Sequence, residues 1–349
     1  MYNHSSIIGI LLIAFIGCTS KNGAPNVSQV HVNLKIQRFE QDLFAIDTNH
    51  VKEGLTTLEK KHPAFLPLYI GNVLGLGPIT DSNELAFTGT KLYLMLNRKP
   101  FEKAKLLYKN FDDTKNQLTS SFQYTRYYFP DYPVPKIITT VGPLDGLAPM
   151  SNGEPSPNFI GNDFLAIGLQ FYLGKDFEIY NDPDYISQIA PLYRSRRFSK
   201  EYIVADVMKL IVDDLYPDSS SRLAFSDQLI ERGKRAWLLK KLLPETHDTI
   251  ILGYTGQQLA WAEKNEKSIY NYFTQNGLLY ERDPILVRPY LTDGPFTREL
   301  GEESPGNIGL FIGLRIVESY ERKQKSTDVK MVMRTPAQQI LNESRYKPK

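Results

Sequence analysis

Cys18, the sole cysteine of the chain, is the residue with the most distinctive chemistry available to it. It closes the apolar run Ile7-Ile8-Gly9-Ile10-Leu11-Leu12-Ile13-Ala14-Phe15-Ile16-Gly17. That run is shorter than the roughly 20 apolar residues a spanning helix needs and has the length of a secretory h-region. A thiol directly after a small residue at such a cleavage point can accept a lipid and become the new N-terminus. Phe15 stands where leucine is usual, and Met1-Tyr2-Asn3-His4-Ser5-Ser6 carries no Lys or Arg. The expectation is a signal over 1–17, lipidation at Cys18, and a polar, Gly- and Pro-bearing tether over 18–29. The plain alternative is an ordinary signal peptide with an incidental cysteine. No acidic run follows Cys18, which points to a periplasm-facing membrane anchor.

Metal chemistry has little to work with. The five histidines are His4, His31, His50, His62 and His247, and no two stand at the His-x-x-x-His spacing that puts both imidazoles on one helix face. Asp213-Asp214 and the Asp182, Asp184 pair do not follow the order of a calcium loop. No Gly-x-Ser-x-Gly elbow is present. Gly168 to Lys175 is mis-spaced for a phosphate loop and has an apolar interior. No metal and no cofactor is therefore expected. The remaining polar candidates are Asp163, Asp206, Glu263, Glu266 and Asp293, each with a bland reading as a turn former or a solvated helix charge. Trp261 sits in an aromatic concentration with Tyr254, Tyr270, Tyr272 and Phe273, which is core unless several share one exposed face.

Composition bounds the partners. With 41 Lys and Arg against 39 Asp and Glu, the net charge of +2 creates no field that would steer nucleic acid to the chain. A hydrophobic share of 42% with 21 Tyr and 18 Phe is that of a packed globular body.

The elements that must position these residues read as α+β, a short early sheet and a larger, mainly helical later part, with 30–349 as one body. Val30, Val32, Leu34 and Ile36 alternate with polar residues as in a strand. Strands are also expected over 136–142, from β-branched content, and over 164–169. Helices are expected over 53–62, 101–127, 199–215 and 222–241. Thr255 with Gln258 has the form of a capping box opening a helix toward Phe273. Ser304-Pro305 has the form of a cap followed by a first-turn proline, opening a helix through Tyr320. Gly309-Leu310-Phe311-Ile312-Gly313 permits a close helix approach, either in a membrane dimer or inside a packed core. Arg315 and the shortness of the run favour the core.

Several stretches together resemble the gliding-motility-associated lipoprotein GldB family of Bacteroidetes-type bacteria. They are Lys35-Ile36-Gln37-Arg38-Phe39-Glu40, Gly161-Asn162-Asp163, Tyr172-Leu173-Gly174-Lys175-Asp176, the run from Glu201 to Lys209, Gly253-Tyr254-Thr255, Glu263-Lys264-Asn265-Glu266, Asp293-Gly294-Pro295-Phe296-Thr297 and Ser304-Pro305-Gly306. The resemblance implies an exported lipoprotein that works with envelope proteins of the gliding and secretion apparatus. It assigns no catalytic residue. The order of elements is also similar to gluzincin-like metallopeptidases. Set on their metal-binding helix, Asp206 replaces the first His, Val207 the Glu and Leu210 the second His, with Arg232 before Gly233 at the downstream ligand. Val cannot act as a base, and Leu and Arg cannot hold zinc. What would survive is a groove able to bind a partner's chain segment. A non-catalytic binder and a membrane-anchored, peptidase-like hydrolase both remain open. The relation of Asp206 to Arg232 bears on the choice.

Overall fold

The computed structural model describes residues 23–324 and 328–348. It is α+β, with a small sheet from the first half of the chain and a larger helical second half. Four strands make the main sheet in the order β1 (Ile36–Arg38), β2 (Lys136–Thr140), β6 (Phe164–Gly168), β5 (Asn158–Ile160). The first three run parallel, with Ile36 opposite Ile137 and Lys136 opposite Phe164, and β5 closes the edge antiparallel to β6. β6 is buried along its whole length and β2 at all but its first residue. A parallel strand covered on both faces is expected to read as such an unbroken apolar run. A separate two-stranded ribbon, β3 (Ala148–Pro149) with β4 (Pro155–Ser156), stands beside the sheet.

Val30 and Val32 pack half-buried against the core without strand pairing, and the strand expected from there covers only Ile36–Arg38. The segment preceding β2 contains Pro133 and Pro135, which have no N–H to give a ladder. Ala24 and Val27, upstream again, are buried in the same core.

The helix expected over 101–127 is two helices, Arg98–Leu107 and Asp112–Tyr128. Tyr108 is fully buried at the break, and the Asn110 side chain accepts from Asp112 N–H at 2.7 Å. Such an Asx turn starts a new helix instead of continuing the old one. The capping box forms with both bonds, Gln258 N–H to Thr255 Oγ1 at 3.1 Å and Thr255 N–H to Gln258 Oε1 at 3.0 Å. Its helix, Gly256–Lys264, ends at Asn265, whose amide turns back to the Trp261 carbonyl at 2.8 Å, and Glu266–Gln275 follows. Ser304-Pro305 does not open a helix. The Ser304 hydroxyl is taken by Thr297 and Gly301, and the helix begins three residues after Pro305 as Ile308–Glu321.

The helical half is organised on two long helices, Phe225–Leu242 and Ile308–Glu321, which cross in close contact. Trp237 is buried on the first and donates to Glu321 at 2.7 Å. The Ile203–Leu215 helix joins this pair to the sheet by packing on both Phe225–Leu242 and β5. Among the described residues no helix is long and apolar enough to cross a membrane. Cys18 and the expected signal segment lie outside the described residues.

Candidate functional site

Two adjoining cavities, of about 120 and about 70 Å³, open where the β3–β4 ribbon meets the helical half. Met150, Glu154, Lys209, Ile251, Asn307 and Leu310 line both. The Ile203–Leu215 helix presents Asp206 and Lys209 one turn apart, so both side chains fall on the same face. Phe225–Leu242 contributes Arg232, Arg235, Ala236 and Leu239 to the smaller cavity. Arg194 reaches the larger one from the Leu192–Ser195 helix and Arg197 from the segment just after it, and Asp293 enters from the loop before Gly294-Pro295.

Each carboxylate here already has a partner. Arg197 donates to Asp293, and Arg194 lies 3.8 Å from the same oxygen. Burial works against the charge on Arg197, but Asp293 outweighs it, so its pKa lies above the ordinary guanidinium value. Asp206 accepts from Lys209 at 3.0 Å and from the Tyr172 hydroxyl at 3.2 Å. Tyr172 in turn accepts from the Asn158 amide at 2.8 Å. Its burial and the neighbouring Asp206 push the phenol far above its usual range. Glu154 lies 3.4 Å from Arg232, which also donates to the Leu291 carbonyl at 2.6 Å. Asp213 holds the Ser151 hydroxyl and backbone N–H. The charges are fixed in place by one another, which suits holding a polar group more than moving a proton.

Of the residues singled out by sequence, Asp206, Asp293 and Arg232 line these cavities. Asp206 and Arg232 do not pair. They stand on adjoining cavities and bind different partners, so they form neither a salt bridge on a cleft floor nor a distant exterior pair. The others lie elsewhere. Asp163 is exposed, 3.4 Å from Lys136. Trp261 is half-buried among the helices after the capping box. Glu263 and Glu266 both face Arg315, at 3.1 and 3.4 Å, and Glu266 also accepts from Tyr346. That network continues through Glu318 and Lys240 to Asp248. Sequence reasoning missed Glu154, Arg194, Arg197 and Asn307. The run Arg194-Ser195-Arg196-Arg197 was the available signal, three guanidiniums in four residues with no acidic neighbour. Among the described residues no three His, Cys, Asp or Glu side chains group as a metal would require.

Fold and site together define an α+β protein built around a small cleft whose charges are already paired. A family model described as gliding motility protein GldB matches residues 20–348, and the chain belongs to this gliding motility family. Comparison with curated proteins and with solved structures finds no match.

Proposed function

We propose that this GldB-family chain is a lipoprotein anchored through Cys18, facing the periplasm, that works by binding a protein of the gliding or secretion machinery and catalyses nothing. Residues 30–349 act as one body, and the cleft beside the β3–β4 ribbon is where the partner engages. The observation that carries the reading is the saturation of the cleft's carboxylates. Asp206, Asp293 and Glu154 each face a cation, so each is engaged in a structural ion pair. The family assignment supports a place in the motility apparatus. Anchoring raises the effective concentration of the cleft for envelope partners, and stable anchoring takes more than one acyl chain.

The test uses the full-length protein extracted from membranes in detergent. Mass spectrometry is expected to find a lipid-modified N-terminal Cys18, and cross-linking before extraction is expected to return motility or secretion components. An unmodified thiol removes the anchor. Hydrolysis of peptides by the purified protein that is lost in an Asp206→Asn variant replaces binding with the peptidase-like alternative.

A further inference from the structure

Far from the cleft, four large apolar side chains face solvent on one helix. In the Glu84–Leu96 helix, Leu85, Leu92, Met95 and Leu96 are each more than half exposed. Leu85, Leu92 and Leu96 follow one another at seven and four residues, so they share one flank, and Met95 stands three residues on from Leu92. Ala86, Thr90 and Leu94 are buried on the opposite side, which holds the helix to the body and leaves that flank uncovered. An apolar patch grouped in this way marks an interaction surface, where scattered exposed leucines would not.

The flank runs into a basic groove. Tyr93 neighbours Leu96 around the helix, and its ring lies 6.0 Å from that of Phe44. Phe44 stacks on Phe101 at 4.3 Å, and the Arg98 guanidinium lies over both rings at 5.5 and 5.6 Å. The two rings help line a groove of about 380 Å³ in which Arg98, Lys105 and Lys109 face Glu102 as the sole acid. Over 84–109, six Lys and Arg stand against two Glu, an excess of four in a chain whose net charge is +2. Glu178 engages Lys99, and Asp47 feels the charge of Lys91; with both acids counted the excess is still two. A second exposed apolar cluster, Tyr280, Ile285 and Leu286, has no such bias, since Glu281 and Asp283 balance Arg282 and Arg288.

Attachment brings such a face to a bilayer. Ala24 and Val27 are buried in the body, so six residues lead from Cys18 to the core, and fully extended they reach about 20 Å. Resting on the Cys18 anchor proposed above, we propose that the Glu84–Leu96 helix lies in the surface of a bilayer containing anionic phospholipid. Leu85, Leu92, Met95 and Leu96 enter the boundary of the acyl chains, while Arg98, Lys105 and Lys109 meet headgroup phosphates. An apolar flank bordered by cations suits this boundary, because lysine and arginine stems lie along apolar surface while their charged ends reach the phosphates. Each cation held near an anionic leaflet adds to the attraction. The balanced cluster at Ile285 lacks that attraction and stays in water.

Because Cys18 is the sole cysteine, a cysteine introduced elsewhere is the one free thiol of the lipidated protein. Leu92→Cys and, as control, Ile285→Cys are labelled with an environment-sensitive dye. The full-length lipoprotein is then reconstituted in vesicles of phosphatidylcholine and phosphatidylglycerol. Nitroxide-bearing lipid is expected to quench the dye at position 92 about threefold or more above that at position 285. Pure phosphatidylcholine, or about 0.5 M salt, is expected to shrink the difference. Lys105→Gln combined with Lys109→Gln, both at exposed positions, is expected to lower the docked-to-undocked ratio about tenfold at an unchanged thermal midpoint. Equal quenching at the two positions, or indifference to anionic lipid, overturns the proposal. A dye at position 92 that is shielded in native membranes but open to water in lipid vesicles also overturns it and gives the face to a protein. The parent chain, labelled in the same way, is expected to take up no dye. Dye on the parent removes the anchor, and the docking face then stands or falls on the signal that position 92 adds. A dye-free parent with an unquenched position 92 removes the docking face and leaves the anchor standing.

Discussion

Gly233 and Gly313 meet where the Phe225–Leu242 and Ile308–Glu321 helices cross, and a Cβ on Gly233 would occupy the space of the Gly313 carbonyl carbon. A Cβ on Gly313 would overlap the Leu229 carbonyl, and one on Gly309 would press on Leu229 and the Tyr290 carbonyl. The Gly-x-x-x-Gly spacing therefore serves a close crossing inside the core. The crossing also sets the entry angle of the helix that starts at Asn307, and so the wall of the cleft.

The first prediction reverses the usual sign of a helical glycine substitution. Gly to Ala inside a helix ordinarily gains about 1 kcal/mol. At Gly313 or Gly233 it is expected to cost about 2 kcal/mol or more, because backbone must separate from backbone. Gly256→Ala is the control. It lies in the first turn of its helix with nothing within 4 Å of the added carbon, and is expected to stabilise by about 0.5 kcal/mol. Urea unfolding of the three variants checks this, and an unchanged midpoint for Gly313→Ala rules out the crossing described.

A second prediction concerns acid. Glu318 is 14% exposed and bonded to Lys240 at 2.9 Å and Arg315 at 3.2 Å. Burial alone would raise its pKa, but Lys240 and Arg315 outweigh that and hold it below the ordinary 4.5. The unfolded state then binds the proton more readily than the folded one, so stability rises with pH through this window. The contribution is complete above about pH 4.5 and is lost as pH falls through the folded value. Glu318→Gln is expected to cost about 2 kcal/mol at pH 7, leaving two cations short of a partner, and to flatten the acid limb of the stability curve. Lys240 acts at the other end, since its raised pKa gives stability present below 10.5 and lost above it. Urea midpoints from pH 3 to 11 separate the two, and an acid limb as steep in Glu318→Gln as in the parent chain contradicts the assignment.

These cases show what was legible in the chain and what was not. Thr255 and Gln258 satisfy each other within four residues, so their capping box was readable locally. The β-branched run of β2 and the apolar run of β6 were readable for the same reason. Ser304-Pro305 carried an equally good local signal, yet the Ser304 hydroxyl found Thr297 across a loop, a partner set by packing. The break at Tyr108 follows from burial of that ring beneath the Tyr172 carbonyl, 64 residues away. In the cleft, Asp206, Asp293 and Arg232 stood out by type, but their partners did not. Arg197 reaches Asp293 across 96 residues, a pairing that only the assembled helices create.

The third prediction isolates that pair. The side chains of Arg197 and Asp293 are 21% and 24% exposed, so they form a half-buried ion pair and water screens part of their attraction. Asp293→Asn is expected to cost about 2 kcal/mol, less than a fully buried pair would lose, because Arg197 then keeps its charge with no carboxylate beside it. Arg194→Met, by contrast, is expected to change stability by less than about 0.5 kcal/mol, since Arg197 alone still holds Asp293. If both arginines receive a ligand, Arg194→Met must nonetheless weaken partner cross-linking. That split between intact stability and reduced binding is what a purely structural role for the cluster does not produce. The double variant Arg197→Met with Asp293→Leu supplies the complementary measurement: stability recovered toward the parent, with binding still lost. Recovery of both would make the pair a packing feature.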